Sequence, residues 1–263
     1  MNPNLKQDSS LERHFEMAEA TVDELVRIVN SISARGKKAK KASQTGSVRD
    51  YILAVTELKT LVEGIGSVVD ELSSLAEVDV SKIMESGSYK EELFSLCEEE
   101  DIRIIESDGK FLSYPTIISL SPSDATVIIE KKKQRGIRPS FLVAQLKSLS
   151  KRQFGLKPET FIEMIATAYD LVVAEKELPA GTVVKLVDLY RVLTILPAAK
   201  SYTKSEFVRD IYLLDQSGID TTRGGRVLKL PASAMTRSSG TMETVAKGGQ
   251  IKLYAGISFE VTQ

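Results

Sequence analysis

LERHFEMAEATVDELVRIVNSI, residues 11–32, decides how the rest of this chain is read. Its apolar positions are Leu11, Phe15, Ala18, Val22, Leu25, Val29 and Ile32, and the interval alternates four and three without a break. The same interval resumes at Val55, Leu58, Val62, Ile65, Val69, Leu72 and Ala76. A 3.5-residue period keeps one side of a slightly supercoiled helix against a partner, so both stretches predict coiled-coil helices. Each spans ~40 Å at 1.5 Å per residue. Ser9-Ser-Leu-Glu12 has capping-box spacing for the first helix, and Ser47-Val-Arg-Asp50 for the second. Between them Ala34–Gly46 is polar, basic and rich in turn formers, which predicts a loop at the tip of a helical hairpin. Two pairings satisfy the seam. The helices close on each other within one chain, or Leu58, Val62, Ile65, Val69 and Leu72 pair between two chains as an oligomerisation seam. Gly64 and Gly66 weaken the second helix by up to ~1 kcal/mol each relative to Ala, and mark a bend or a close helix approach.

Working outward, the chain has 263 residues, 42% of them hydrophobic and 27% charged, with a net charge of −1. That is a folded composition with room for more than one domain. No run approaches the ~20 apolar residues a membrane span needs, and the opening MNPNLKQDSS does not read as a signal peptide, so a cytoplasmic protein is expected. Cys97 and His14 are the only residues of their kinds. That removes internal disulfides, Cys/His zinc sites and His-based catalytic triads built from this chain alone. Neither a GxxxxGK[ST] nor a GxGxxG loop is present. No cofactor is expected.

The second segment carries the basic stretch EKKKQRGIRPS, residues 130–140. Ile102–Ile105, Phe111–Tyr114, Thr116–Leu120 and Ala125–Ile129 read as four short antiparallel strands, the first pair joined at Asp108-Gly109, a strong hairpin signal. Behind the last strand Lys131, Lys132, Lys133, Arg135 and Arg138 follow in quick succession, and no acid occurs from Lys131 to Lys157. Pro139 opens a helix to Lys151. Such a cluster beside a sheet can track a phosphate backbone. The alternative is internal, because residues 85–108 hold nine acids that could face it. A third arrangement, Asp108 (or Asp124) with Glu130 and Lys132, has the residue types of PD-(D/E)xK nucleases, whose acids hold a divalent ion.

The last segment predicts helices at Pro158–Lys176, at Val183–Leu196 before Pro197, and after the capping box Thr203-Lys-Ser-Glu206, then strands from Arg226 on. YTKSEFVRDIYLLDQSGID (202–220) and TTRGGRVLKL (221–230) resemble the third helix and wing of the winged-helix superfamily over residues ~158–230. The resemblance implies a major-groove helix and a backbone-touching wing. Carried onto this chain it points to Lys204, Ser205 and Arg209 on the helix, and to Arg223, Arg226 and Lys229 in the wing. Asp210 and Asp215 on that helix depart from a DNA reader, and many winged helices bind protein instead.

The expected fold class is therefore α+β, mainly α with small antiparallel β elements. Residues 1–78 form a helical hairpin or coiled-coil arm, 79–156 an α+β segment, and 157–263 a winged-helix-like domain with a β extension. The expected function is a non-catalytic, DNA-associated component of a protein assembly. It would bind duplex DNA through basic surfaces, and partners or a second copy through the arm, with no membrane partner. A protein-interaction scaffold and the metal-dependent nuclease are the alternatives.

Overall fold

A computed structural model of the chain describes residues 10–152, 156–195, 202–231 and 240–261. The architecture is mainly helical with small antiparallel sheets, as the composition of elements led one to expect. No helix among the described residues is long and apolar enough to cross a membrane. Contacts divide the chain into two compact units. One comprises the chain up to Ser95 with Pro122–Ala125 and Gly136–Phe141, the other Leu96–Ser121, Thr126–Arg135 and the chain from Leu142 onward. Residues 79–156 thus contribute to both.

The first unit is dominated by two antiparallel helices, α1 (Leu11–Thr45) and α2 (Val48–Ala76), packed along their length. The pairing is within one chain. His14 Nε2 donates to the Leu75 carbonyl at 2.7 Å, Thr21 Oγ1 to Glu71 at 3.2 Å, and Arg35 Nε to Glu57 at 2.9 Å. The cap of α1 is Ser10, one residue beyond the expected Ser9–Glu12 box, and it accepts from the Arg13 amide; Ser9 lies outside the described residues. The expected tip loop is mostly helix. α1 runs on to Thr45 and turns only at Gly46, whose φ of 70° is open to glycine at little cost. The reason is that the seam does not stop at Ile32. Ala39 and Ala42 are buried and extend it, and the lysines between are good helix formers.

The seam itself is shifted from the one the apolar pattern suggests. In α1 the least exposed positions are 11, 14, 18, 21, 25, 28, 32, 35, 39 and 42; in α2 they include 54, 58, 61, 65, 68, 72 and 75. Leu11, Leu25, Ile32, Leu58, Ile65 and Leu72 therefore lie in the contact as expected. Val22, Val29, Val55, Val62 and Val69 do not, and stand 41–56% exposed. His14, Thr21 and Arg35 take seam positions instead, satisfied by the polar contacts above. In this unit α3 (Val80–Glu85) and the start of α4 (Ser88–Glu99) follow the hairpin. Glu92 receives Ser10 Oγ and the Leu11 amide, so the N-terminus of α1 meets an anion, which its dipole favours.

The second unit begins with a five-stranded antiparallel meander: β1 (Ile105–Ser107), β2 (Lys110–Ser113), β3 (Thr116–Ser121), β4 (Thr126–Ile129) and β5 (Lys132–Lys133). Asp108 and Gly109, at φ 49° and 69°, make the expected two-residue turn. The fifth strand was not foreseen. Glu130 and Lys131 form an equivalent turn at φ 50° and 67°, without glycine, so that Lys132 pairs with Ile129. Each such residue costs of order 1–3 kcal/mol. α5 spans Pro139–Lys151 as predicted.

Beyond it come α6 (Pro158–Glu175), β6 (Val184–Lys185), α7 (Leu186–Leu193), α8 (Lys204–Ser217), β7 (Arg226–Lys229), β8 (Met242–Val245), β9 (Ile251–Tyr254) and β10 (Gly256–Val261). The helix expected over Val183–Leu196 is shorter, because Val184 and Lys185 pair with β10; Pro197 lies outside the described residues. β6, β10 and β7 form one antiparallel sheet in that order, and β8–β9 a separate hairpin. One core joins them, centred on Phe161, Ile165, Leu186, Leu189, Phe207, Ile211 and Ile257, each at most 1% exposed.

Candidate interaction surfaces

The seam positions of α1 and α2 leave one flank of the helix pair apolar. Numbering the heptad so that Leu11 is a and His14 is d, the following e positions are Phe15, Val22 and Val29, and the neighbouring b position is Val26. In α2 the e positions are Val55, Val62 and Val69, with Ile52, Lys59 and Gly66 at b. Because the helices run oppositely, the e flank of one lies beside the e flank of the other. The result is one continuous row of half-exposed aliphatic side chains. Val22, Val26 and Val29 are 45–51% exposed, and Val55, Val62 and Val69 41–56%. A Cβ on Gly66 would meet nothing within 4 Å, so that point is open to close approach. The other flank, Glu24, Ser31, Lys38, Asp50, Glu57 and Glu71, is mostly polar, with Met17 (48% exposed) and Gly64 as its apolar members. Single exposed valines need no explanation, but a row of them along one flank does.

The basic stretch does not act as one cluster. Lys131, Lys132, Lys133 and Arg135 are exposed on the last hairpin of the five-stranded sheet. Lys131 Nζ lies 3.6 Å from Glu243 with the lysine side chain 88% exposed, a pair that contributes little. Arg138 is a correction. Its guanidinium donates to Glu12 at 2.6 Å and Glu19 at 2.7 Å, and Glu12 also accepts the Ser140 amide at 2.7 Å. Burial pushes the Glu12 carboxyl up, but the Ser140 hydrogen bonds and Arg138 outweigh it and hold it below its ordinary value. Arg138 is thus committed within the first unit. The internal-partner reading is met at Lys147, which pairs with Glu100. Arg152 pairs with Glu206, an acid well outside residues 85–108.

The expected reading helix is covered on both sides. Phe207, Ile211 and Leu214 enter the core, while Val208, Arg209, Asp210 and Tyr212 are buried as well. β8 packs on α8, Tyr114 stacks at 6.0 Å on Tyr212, and the Lys247 amide donates to the Tyr212 hydroxyl. Arg209, expected at the surface, is 5% exposed and bonded to Asp210 at 2.9 Å; Asp210 in turn accepts from the Tyr202 hydroxyl at 2.7 Å. Burial raises the Asp210 carboxyl above its usual value, partly offset by Tyr202 and Arg209. Lys204 stays exposed over the Tyr190 ring. In the expected wing, Arg223 and Lys229 are exposed, whereas Arg226 pairs with Asp170 at 2.6 Å and lies over Phe259.

The nuclease constellation is not assembled. β1 to β5 alternate in direction, so the turn holding Asp108 and the turn holding Glu130 fall at opposite ends of the sheet. Asp124 sits in the single 3-10 turn between β3 and β4. Among the described residues no three of His, Cys, Asp and Glu are grouped to hold a metal ion. Phe111, on β2, is buried in the core. Comparison with protein-family models, characterised proteins and solved structures finds no match to this chain.

Proposed function

We propose that this chain is a non-catalytic interaction protein of the cytoplasm, whose helical arm docks on a protein surface through the aliphatic row of α1 and α2. The observation that carries it is the asymmetry of the arm: six exposed valines on and beside one flank, and on the other polar and charged residues with Met17 as the one exposed large apolar side chain among the described residues. A surface helix pair with no partner has no use for that row, since water solvates either flank. The arm is a coiled-coil hairpin in this reading. The region from α6 to β10 supports the winged-helix resemblance through its order of helix, strand, two helices and two further sheet strands. The burial of α8 directs that module toward packing against protein rather than reading bases.

Photo-crosslinking in cells tests the docking. A photoreactive residue at Val26, in the row, is expected to give protein adducts, and one at Ser31, on the opposite flank, none. Equal yields, or none from Val26, would overturn the reading.

A second reading keeps nucleic acid, favoured by exposed Lys131 in the strained turn, Lys132 and Lys133 in β5 and Arg135 just beyond it, and by exposed Arg223 and Lys229. Anisotropy titration of a ~30-bp duplex is expected to show binding that falls steeply between about 50 and 300 mM salt. It should vanish on charge reversal of Lys131–Lys133. Binding insensitive to either would remove this reading.

A further inference from the structure

We infer that the occupant of the aliphatic row is the arm of a second copy of this chain, laid antiparallel to the first. This rests on the docking reading above and specifies its partner. The argument comes from charge. From Leu11 to Glu24, α1 carries Glu12, Glu16, Glu19, Asp23 and Glu24 against Arg13. From Leu25 to Thr45 it carries Arg27, Arg35, Lys37, Lys38, Lys40 and Lys41 and no acid. α2 repeats the division in reverse order. Its first half is balanced, with Arg49 and Lys59 against Asp50 and Glu57, and beyond Lys59 it holds Glu63, Asp70 and Glu71 without a base. Glu12 and Glu19 are paired with Arg138, but Glu16, Asp23, Glu24, Glu63, Asp70 and Glu71 still give the arm an acidic base opposite its basic tip, although the whole chain is nearly neutral.

Two such arms placed side by side and parallel set acid on acid and lysine on lysine. Turned end for end about a two-fold axis, they set each basic tip on the other's acidic base. The row is suited to the second arrangement. Its centre, Val29 beside Val62, lies midway along the arm, and nothing charged interrupts α1 at its b and e positions between Val22 and Gly36. In α2, Gly66 removes a side chain where a neighbouring helix would pass. A two-fold interface is self-complementary, the form most soluble homo-oligomers use. The product is a four-helix bundle in which the valines are covered and the polar flanks face water.

Sedimentation of the full chain tests this. The wild type is expected to dimerise at low salt and to weaken as salt rises through the range that screens exposed charges. Val22→Ser with Val62→Ser should weaken it by ~100-fold, the scale of losing a hot spot, while circular dichroism stays unchanged because both residues are exposed. Two charge-reversed chains make the orientation decisive. One carries Lys37 and Lys40 changed to Glu, the other Glu16, Asp23 and Asp70 changed to Lys. Each alone should dimerise poorly, and their mixture should form a heterodimer. A chain that stays monomeric at ~100 µM in low salt (an affinity weaker than a functional contact needs), or a dimer indifferent to tip reversal, overturns the inference. If the monomeric chain still gives Val26 adducts to another protein, the docking reading survives; if it gives none, both fall.

Discussion

Arg209 shows how a residue can be misread. With Phe207, Ile211 and Leu214 on the apolar face of α8, local periodicity assigns Arg209 to the solvent side, where a DNA reader would carry it. That side is covered by β8, and the contact joins segments distant in sequence, so no local period records it. Buried beside Asp210, Arg209 is a structural ion. Arg209→Ala leaves the carboxylate without its cation, and should cost about 3 kcal/mol in denaturant unfolding. Lys132→Ala, on the exposed hairpin, should stay within ~0.5 kcal/mol. Cys97 offers a second check. Burial raises its thiol to about 11, so a thiol reagent should leave it unmodified in the folded chain at neutral pH and modify it on unfolding.

At the scale of the element, the arm was legible as two heptad helices but not in register. The seam uses positions a and d, but e is richer in apolar residues than d, so an apolar-only count follows a and e. The true seam includes His14, Thr21 and Arg35, which find polar partners on α2 (Thr21 also bonds the Met17 carbonyl of its own helix), and those cross-helix partners are invisible in one strand of sequence. The five-stranded sheet was read nearly whole because Asp108-Gly109 is a local signal, whereas the turn at Glu130 and Lys131 carries no glycine to announce it. The shifted register has a consequence for stability. Leu25→Ala, in the seam, should cost about 2 kcal/mol, and Val29→Ser, on the outer row, under ~0.5 kcal/mol in the monomer. Acid acts on the same unit. The folded Glu12 carboxyl lies below its unfolded value, so its contribution is present above the ordinary carboxylate range and is lost as pH falls through the folded value. Glu12→Gln should flatten that part of the acid-unfolding curve.

For the whole molecule, a net charge of −1 conceals a strongly divided arm. Composition could not show this, because the acidic base is assembled from the start of α1 and the end of α2, which only the hairpin brings together. The division matters more than the sum. It gives the arm a direction, and direction is what allows an aliphatic row to choose one arrangement with its copy over the other. The measurement that bears most directly on this account is a dipolar distance between spin labels placed at Gln44, near the tip of α1. Cys97 is buried and should take no label. At 1.5 Å per residue an antiparallel pair sharing its centre at Val29 holds the two tips about 50 Å apart. A distance near that value is the predicted result. A short distance, below roughly one pair of helix diameters (~20 Å), would mean parallel arms, and the absence of any dipolar signal would mean that the arms do not meet.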